Sequence, residues 1–156
     1  MEKVLIGRYV STHGIKGEIR IKSNFKYKNK VFIIGNKIYI KDKEYIINSY
    51  RVHKEYDMIT LKGLDNINQV LSFKGSNVYI DKDDLKLDNN EYLDSDLIGM
   101  SIYVNNVLKG KVNSINYINN NKKLLVVNNK LIPLELIKKI DFDNSKIVIE
   151  EVVGLL

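Results

Sequence analysis

The chain has 156 residues, 44% of them hydrophobic and 28% charged, and this balance excludes a mainly disordered polypeptide. It contains no cysteine, which excludes disulfide bonds and thiolate metal sites, and no apolar run approaches the roughly 18 residues of a membrane-spanning helix. The net charge of +6, from 25 basic and 19 acidic residues, favours a polyanionic partner, because a positive field raises the affinity for phosphate backbones.

The basic excess does not by itself identify a nucleic-acid partner. Lys, Asn and Ile are all used heavily, as they are when codons drift in an AT-rich genome, and charge does not separate RNA from DNA. The N-terminal segment MEKVLIGRYV has an acidic second residue and an apolar run too short for a secretory signal. We therefore expect a cytoplasmic protein with no membrane partner.

Apolar and polar residues alternate through the first half of the chain, a period typical of half-buried strands. In residues 18–22 the two isoleucines face one way and the charged side chains face the other. Residues 37–41 and 44–47 predict a hairpin whose turn includes Asp42 and Lys43. The β-branched and aromatic residues of four more segments predict strands at residues 4–10, 49–54, 58–62 and 77–81.

One helix is predicted to interrupt these strands. Asn66 can cap its N-terminus, Gln69 lies at the capping-box position, and three apolar residues share a face: Ile67, Val70 and Leu71. The first half of the chain is therefore predicted to be a small antiparallel β-barrel with a short helix at one end.

The composition changes between residues 81 and 96, where DKDDLKLDNNEYLDSD is acidic, polar and poor in β-branched residues. We predict a linker at residues 84–94, between a first domain at residues 1–83 and a second at residues 95–156. Small domains of this size must each rely on a small core.

The strand pattern resumes after the predicted linker. Pro133 fits the first turn of a short helix that runs through Ile137. The other predicted elements are strands at residues 102–104, 111–118, 124–127 and 146–150, a turn at residues 105–106 and a loop tip at residues 119–121. The predicted fold class is mainly all-β, with two small antiparallel β-barrels, each with a short helix, joined by a linker.

The chain lacks common catalytic and nucleotide-binding motifs, since GxxxxGK[ST], GxGxxG and HExxH do not occur. Its two histidines, His13 and His53, could pair with Glu18 or Glu55 as an acid–base or metal set, although nothing in the spacing forces them together. A histidine on a strand surface is the commoner explanation. We therefore predict no catalytic residue, no metal and no cofactor, and we do not expect an enzyme.

The segment STHGIKG, residues 11–17, lies between two predicted strands. Gly14 and Gly17 can adopt the positive φ that a turn requires, and the hydroxyls that precede them can satisfy loop amides. Backbone amides together with His13 and Lys16 would also form a modest anion site. A barrel turn with no ligand explains the same residues, and both interpretations stay open.

This segment begins an ordered set of motifs. VLIGRYVSTHGIKGEIRI resembles the N-terminal signature of the ribosome maturation factor RimM family, whose members share a H-G-[ILV]-[RK]-G-E-[IV] pattern. The resemblance continues in RVHK from residue 51, LKGLDNINQVLSFKGSNVYI, DLIG from residue 96, KGKV, LIP and the terminal GLL. It covers nearly the whole chain, in order.

The resemblance implies an N-terminal six-stranded β-barrel similar to a translation-factor barrel domain, followed by a C-terminal PRC-barrel. It also implies a role in assembling the head of the small (30S) ribosomal subunit and in maturation of 16S rRNA, by binding and not by catalysis. The implied partners are the small-subunit ribosomal protein nineteen, the pre-30S particle and 16S rRNA, and we expect a monomer. The alternatives are a PRC-barrel-type module with a different RNA or protein partner, and a nuclease that uses His13, Glu18 and His53.

Three surfaces are predicted to bind these partners. The first, for rRNA or ribosome contact, joins the turn to the following strand and comprises Thr12, His13, Gly14, Lys16, Gly17, Arg20 and Lys22. The second, for the same ligand, comprises Arg51 and His53, and the third is Tyr92, for the protein partner. The alternatives are a solvated strand face for Arg20 and Lys22, an intradomain salt bridge for Arg51, and plain linker packing for Tyr92.

Two departures from the family pattern limit what the resemblance implies. Family members usually have two adjacent aromatic residues before DLIG, whereas here Leu93 follows Tyr92. One ring is therefore lost, and a contact made by aromatic packing there would be weaker. The family also favours an acidic residue in the loop at residues 119–123, where this chain has lysine.

Overall fold

The structure, a computed structural model, describes residues 1–119 and 122–156. The chain forms two compact units, and each is described by itself: the first unit is Met1–Asn89 and the second unit is Asn90–Leu156. The division falls within the residues predicted as a linker. Strands dominate both units, so the predicted all-β class is confirmed.

The first unit contains a closed barrel of six antiparallel strands, as the family resemblance implied. The strands pair in the order β1-β2-β5-β4-β3-β6. Their bounds are β1 Lys3–His13, β2 Glu18–Lys22, β3 Lys37–Ile40, β4 Lys43–His53, β5 Tyr56–Leu61 and β6 Asn77–Asp81. Closure leaves no free sheet edge at which another chain could pair.

The alternation in the sequence places one face of each strand inside the barrel. Ile19 and Ile21 on β2 are fully buried, as are Ile38 and Ile40 on β3, while the charged residues of β2 point outward. Burying a side chain of this size stabilises the fold by about 1.5–3 kcal/mol. The barrel interior is therefore a packed apolar core, and the charged side chains of β2 lie on its outer face.

β4 is one continuous strand, whereas the sequence predicted a break at residue 48. A bulge between Ile47 and Ser49 inserts an extra residue, so the alternation of side chains shifts there although the strand continues. The turn before β4 is formed by Lys41 and Asp42, one residue earlier than predicted. Both have positive φ, 50° and 63°, as a two-residue hairpin turn requires.

The predicted helix after residue 66 is a pair of short 3₁₀ helices, Ile67–Gln69 and Leu71–Phe73. The predicted capping box is present, because the Asn66 side chain accepts a backbone hydrogen bond and the Gln69 side chain accepts one from the Asn66 N–H at 3.1 Å. Val70 and Phe73 are the buried residues of this segment. A further 3₁₀ helix, Lys82–Asp84, follows β6.

The 3₁₀ pair is tied to the barrel core through Tyr9. The buried Tyr9 hydroxyl donates a hydrogen bond to the Val70 carbonyl at 3.0 Å, and its ring meets Phe73 edge to face with 5.6 Å between centroids. Burial raises the pKa of Tyr9 to about 12, so the hydroxyl stays protonated and remains a donor. This bond closes one end of the barrel.

A short helix that the sequence did not predict, α1 (Lys28–Val31), joins β2 to β3. Four residues are too few to show a helical period. Its first residue, Lys28, forms an ion pair of 2.8 Å with Asp57, which is 2% exposed and also accepts a hydrogen bond of 2.6 Å from the Tyr50 hydroxyl. Burial, reinforced by the hydrogen bond to Asp57, raises the pKa of Tyr50 to about 12. The helix therefore supplies the counter-charge for a buried carboxylate.

The second unit has seven strands in two sheets within the part of the chain that the structure describes. One sheet has the order β11-β10-β9 and the other the order β12-β13-β7-β8. The strands are β7 Ser101–Val104, β8 Val107–Lys111, β9 Ser114–Asn119, β10 Lys122–Val127, β11 Lys130–Pro133, β12 Ile137–Asp141 and β13 Lys146–Ile149. Two 3₁₀ helices accompany them, Asp94–Leu97 and Leu134–Leu136.

This arrangement differs from the predicted closed antiparallel sheet in two respects. Over the described residues the strands form two sheets, and β13 pairs with β7 in parallel. Residues from both sheets nevertheless share one apolar core, in which Ile102, Leu125 and Ile147 are fully buried. A parallel pair between strands distant in sequence leaves no local signal, because alternation shows only which face is buried.

Two local predictions for the second unit are wrong in detail. Residues 111–118 form the end of β8 and most of β9, which belong to different sheets, and not one strand. Pro133 ends β11 and precedes a single 3₁₀ turn, and β12 begins where the predicted helix was to end. The turn at residues 105–106 is confirmed by positive φ at both asparagines. Of the predicted loop tip, residues 120 and 121 lie outside the described residues.

Candidate functional site

The turn at residues 14–17, between β1 and β2, is fixed by its two glycines. Gly14 and Gly17 have φ of 70° and 86°, so the predicted positive φ is confirmed at both. A Cβ at Gly17 would lie 2.6 Å from the Leu64 carbonyl oxygen, whereas a Cβ at Gly14 would meet open space. The Ile15 carbonyl accepts a hydrogen bond from the Ile67 N–H at 2.9 Å. The turn is therefore anchored to the segment that closes the barrel.

Arg20 stabilises the end of β1, the strand that leads into this turn. Its guanidinium donates hydrogen bonds to the Thr12 carbonyl at 2.9 Å, the Ser11 hydroxyl at 3.2 Å and Nδ1 of His13 at 2.7 Å. The side chain is partly buried and not a solvated cation. Three hydrogen bonds within the protein hold the guanidinium, so the solvated strand face does not describe it, and the phosphate contact of Arg20 stays a prediction.

Arg51 forms a salt bridge with Glu18, which is the alternative that the sequence left open. Nε and Nη2 of Arg51 donate to the two carboxylate oxygens of Glu18 at 2.9 and 2.7 Å. These hydrogen bonds lower the pKa of Glu18, although partial burial opposes the shift. A bidentate fork of this kind fixes the guanidinium plane as well as neutralising its charge.

The two histidines meet on the same outer face, although their spacing did not require it. The ring centroids of His13 and His53 lie 5.4 Å apart, with 58° between their planes. Nδ1 of His53 is buried and has no hydrogen-bond partner among the described residues. Burial lowers the pKa of His53, and the positive charge of Arg51 lowers it further. The ring is therefore held neutral at pH 7.

The turn borders a shallow depression of about 440 Å³. It is lined by His13, Gly14, Ile15, Lys16, Glu18 and Thr60. The other imidazole does not line it, so the two histidines and Glu18 do not converge on one cavity. No group of three His, Cys, Asp or Glu residues suited to a metal ion occurs in the described part of the chain.

Lys16 and Lys22 are the predicted cations that remain available to a ligand. Both are exposed, and neither has an ion pair or side-chain hydrogen bond within the described residues. The structure thus separates the predicted first surface into two kinds of residue. Arg20 with Thr12 and His13 at the end of β1 supports the turn, and the two lysines present charge to solvent.

The net charge lies entirely on the first unit. Residues 1–89 contain 17 basic and 11 acidic residues, a net charge of +6, and residues 90–156 contain eight of each. The net electrostatic attraction for a phosphate backbone is therefore greater at the first unit than at the second. The sequence totals alone did not show this division, because it depends on where the chain divides.

Tyr92 packs in the second unit against a ring that the sequence did not indicate. Its centroid lies 5.8 Å from that of Phe142, with 45° between the planes. Phe142 is 38% exposed, whereas Leu93, the residue in place of a second family aromatic, is only 9% exposed. Phe142 is 50 residues from Tyr92 and lies just after β12, so no local pattern relates the two rings.

A polar cluster around Asp94 stabilises the start of the second unit. Asp94 accepts hydrogen bonds from Lys123 Nζ at 2.8 Å and from the Tyr117 hydroxyl at 3.2 Å. Lys123, which stands where the family favours an acidic residue, thus has an acidic partner within the unit. Burial, with the charge of Asp94, raises the pKa of Tyr117.

In the described residues no helix is long and apolar enough to span a membrane.

The chain is similar in sequence to known ribosome maturation factors. Residues 4–85 match the family model described as RimM N-terminal domain. The chain is 35% identical to the ribosome maturation factor RimM of Staphylococcus aureus strain bovine RF122 / ET3-1, with 99% of each chain covered. It is 34% identical, over the same shares, to the RimM of Staphylococcus aureus strain JH9.

Two solved structures align with the chain at low identity. A 16S ribosomal RNA processing protein RimM from Pseudomonas aeruginosa is 19% identical, with a TM-score of 0.48 over 97% of this chain and 98% of that one. The N-terminal domain of RimM from Thermus thermophilus is 20% identical, with a TM-score of 0.49 over 56% of this chain and 98% of that one.

Proposed function

Because the chain belongs to the RimM family of ribosome maturation factors, we propose that it assists assembly of the 30S subunit head and maturation of 16S rRNA. It acts in the cytoplasm as a monomer, by binding and without making or breaking covalent bonds. The observation that carries this proposal is the separation of charge, +6 on the first unit and zero on the second. One unit is suited to RNA, and the other is left for a protein surface.

The cationic barrel binds rRNA of the pre-30S particle. Lys16 at the tip of the turn and Lys22 on β2 present unpaired charge within the described residues. Gly14 and Gly17 hold the turn in the shape that presents Lys16, and Arg20 fixes its first strand. Their contribution to binding is therefore to position the turn.

The second unit binds the small-subunit ribosomal protein nineteen. Tyr92, which is partly buried against the core, packs on the partly exposed Phe142 in a unit without net charge, and aromatic residues are enriched at protein interfaces. Phe142 supplies the aromatic surface that Leu93 does not, because Leu93 is buried. The missing family ring therefore does not leave this surface without a second aromatic residue.

Assistance to assembly follows from differential binding. A bound factor shifts a folding equilibrium of rRNA only by its preference for one state over another. The two units, joined in one chain, favour the arrangement in which RNA and protein partner are correctly placed together. Later components that occupy the same surface release the factor.

A nuclease mechanism would need a free general base among His13, Glu18 and His53. Both carboxylate oxygens of Glu18 are held by Arg51, Nδ1 of His13 accepts a hydrogen bond from Arg20, and Nδ1 of His53, although unpaired among the described residues, is buried. This engagement favours the non-enzymatic role. Incubation of the pure protein with precursor 16S rRNA and divalent metal tests it, and new cleavage products would contradict it.

The main experiment is co-sedimentation of the protein with ribosomal particles. We expect it to accompany immature small subunits and to be absent from mature ones. Equal binding to both would overturn the assembly role. Capture at low salt of a partner that is not a small-subunit component would favour the alternative, a PRC-barrel-type module with another ligand.

A further inference from the structure

Arg8 lies directly opposite Lys22 on the outer face of the barrel, across the β1–β2 pair. On the other side of Arg8, across the β1–β6 pair, lies Asn77. All three side chains are exposed. Since neighbouring strands lie about 4.8 Å apart, the three residues form a row of hydrogen-bond donors about 10 Å long across the barrel wall.

The two cations in this row repel each other. Like charges directly opposite on antiparallel strands destabilise the sheet. Several other cations of the barrel have an acidic partner, as Lys28 has Asp57 and Arg51 has Glu18. Arg8 and Lys22 have no ion pair and no side-chain hydrogen bond among the described residues. The protein therefore leaves this repulsion uncompensated.

We propose that the row of Lys22, Arg8 and Asn77 binds consecutive phosphates of an RNA backbone. A phosphate between the two cations turns their repulsion into attraction, and the arginine fork matches phosphate oxygens in a bidentate manner. Asn77 adds an amide donor at the end of the row.

Arg8 also differs from Arg20 and Arg51, the two arginines for which the sequence predicted phosphate contacts. Arg20 donates three hydrogen bonds within the protein and Arg51 donates two, whereas the Arg8 side chain donates none within the described residues. Of the three arginines in the chain, Arg8 is thus the one whose whole guanidinium is available to phosphate. This inference rests on the proposed function, because it names the surface through which the barrel binds rRNA.

The first test compares salt dependences in the full-length protein. The double variant Arg8→Gln/Lys22→Gln is titrated against immature small subunits between low and moderate salt. We expect the slope of log K against log salt concentration to shrink by about 1.5 to 2, because two phosphate contacts are lost. Lys37→Gln/Lys62→Gln is the matched control, since it removes the same charge from exposed positions elsewhere on the barrel.

The possible outcomes distinguish failure of the proposed phosphate-binding row from failure of the proposed assembly role. Equal shrinkage in both double variants would mean that only net charge matters, and would overturn the row. An unchanged slope in Arg8→Gln/Lys22→Gln, with normal binding by the wild type, would overturn the row and leave the assembly role standing. If the wild type fails to bind immature subunits, the assembly role falls, and the row falls with it.

A second measurement uses the sign of the stability change. Lys22→Glu replaces repulsion by attraction across the strand pair, so the melting temperature should rise by about 1–4 °C while binding to immature subunits weakens. A purely structural role for Lys22 would lower stability and binding together. Weaker binding in a more stable protein is the result that supports a ligand at this row, and a loss of both would overturn it.

Discussion

The guanidinium of Arg51 on β4 reaches over β5 to hold the carboxylate of Glu18 on β2 through two hydrogen bonds. Met58 on β5 lies in register with both Arg20 and Arg51 and is fully buried, although it shares their outer face. Their register places the stems of both arginines beside Met58, on the face where it is buried. Long cationic side chains bury their apolar stems in this way.

The Glu18–Arg51 pair makes part of the barrel's stability sensitive to acid. The hydrogen bonds from Arg51 hold the pKa of Glu18 below its ordinary value of 4.5, so the carboxylate stabilises the folded state above that value. This stabilisation is lost as the pH falls through the lowered pKa. We expect the melting temperature of the wild type to fall more between pH 5 and pH 3 than that of Glu18→Gln. Arg51→Gln should resemble Glu18→Gln, and three identical profiles would contradict the pair's role.

His53 introduces a second pH dependence, nearer neutrality. Burial, together with the positive charge of Arg51, lowers the pKa of its imidazole below 6.5 in the folded state. The unfolded chain therefore binds the proton more readily, and stability falls as the pH drops below about 6.5. NMR titration should show the His53 ring ionising below that value, and His53→Gln should lose part of the decline in melting temperature. A ring that titrates at or above 6.5 would refute this assignment.

The two glycines of the turn should differ in their tolerance of a side chain. Both have positive φ, but only Gly17 faces a backbone oxygen at close range. Gly14→Ala should reduce the free energy of unfolding by about 1 kcal/mol, from the left-handed conformation alone. Gly17→Ala should reduce it by about 3 kcal/mol, because the Leu64 carbonyl must also move. Denaturant melts of both variants measure this, and equal losses would show that the close approach is relieved at no cost.

Phe142 should matter for capture of the protein partner. Truncating an exposed aromatic anchor removes contact area, and we expect Phe142→Ala to weaken binding of small-subunit ribosomal protein nineteen about 10-fold. Tyr92→Ala should have an effect of similar size. Leu131→Ala, an exposed apolar residue on β11, is the matched control and should bind normally. Normal binding by a folded Phe142→Ala protein would remove Phe142 from this surface.

The alternation of apolar and polar residues in the sequence identified the strands that have one buried face and one charged face. β2 and β6 have the bounds that the sequence predicted, because their polar and apolar residues alternate without interruption. The pattern failed where the backbone departs from regular alternation. The bulge in β4 was predicted as a break between two strands. Val112 and Asn113, where the chain passes from one sheet to the other, were predicted to lie within a single strand.

The candidate site was predictable only in part. The turn glycines can be recognised in the sequence, because few other residues adopt positive φ without strain. The partners of Arg20 and Arg51 cannot, since a cation on a strand looks the same in sequence whether it faces solvent, phosphate or carboxylate. Phe142 was missed for the same reason: its neighbour Tyr92 is near it only in the folded unit.

By itself, the sequence determined which side chains face a core, where the chain must turn, and the family to which it is similar. These are local or cumulative properties, set by the two-residue period of a strand and by backbone sterics. Only the tertiary structure decided which charges are paired. Glu18 and Arg51 are 33 residues apart, and they meet because strand order places β5 alone between them. Arg8 and Lys22 are left facing each other by the register of β1 on β2, which fixes opposite residues without regard to their charge.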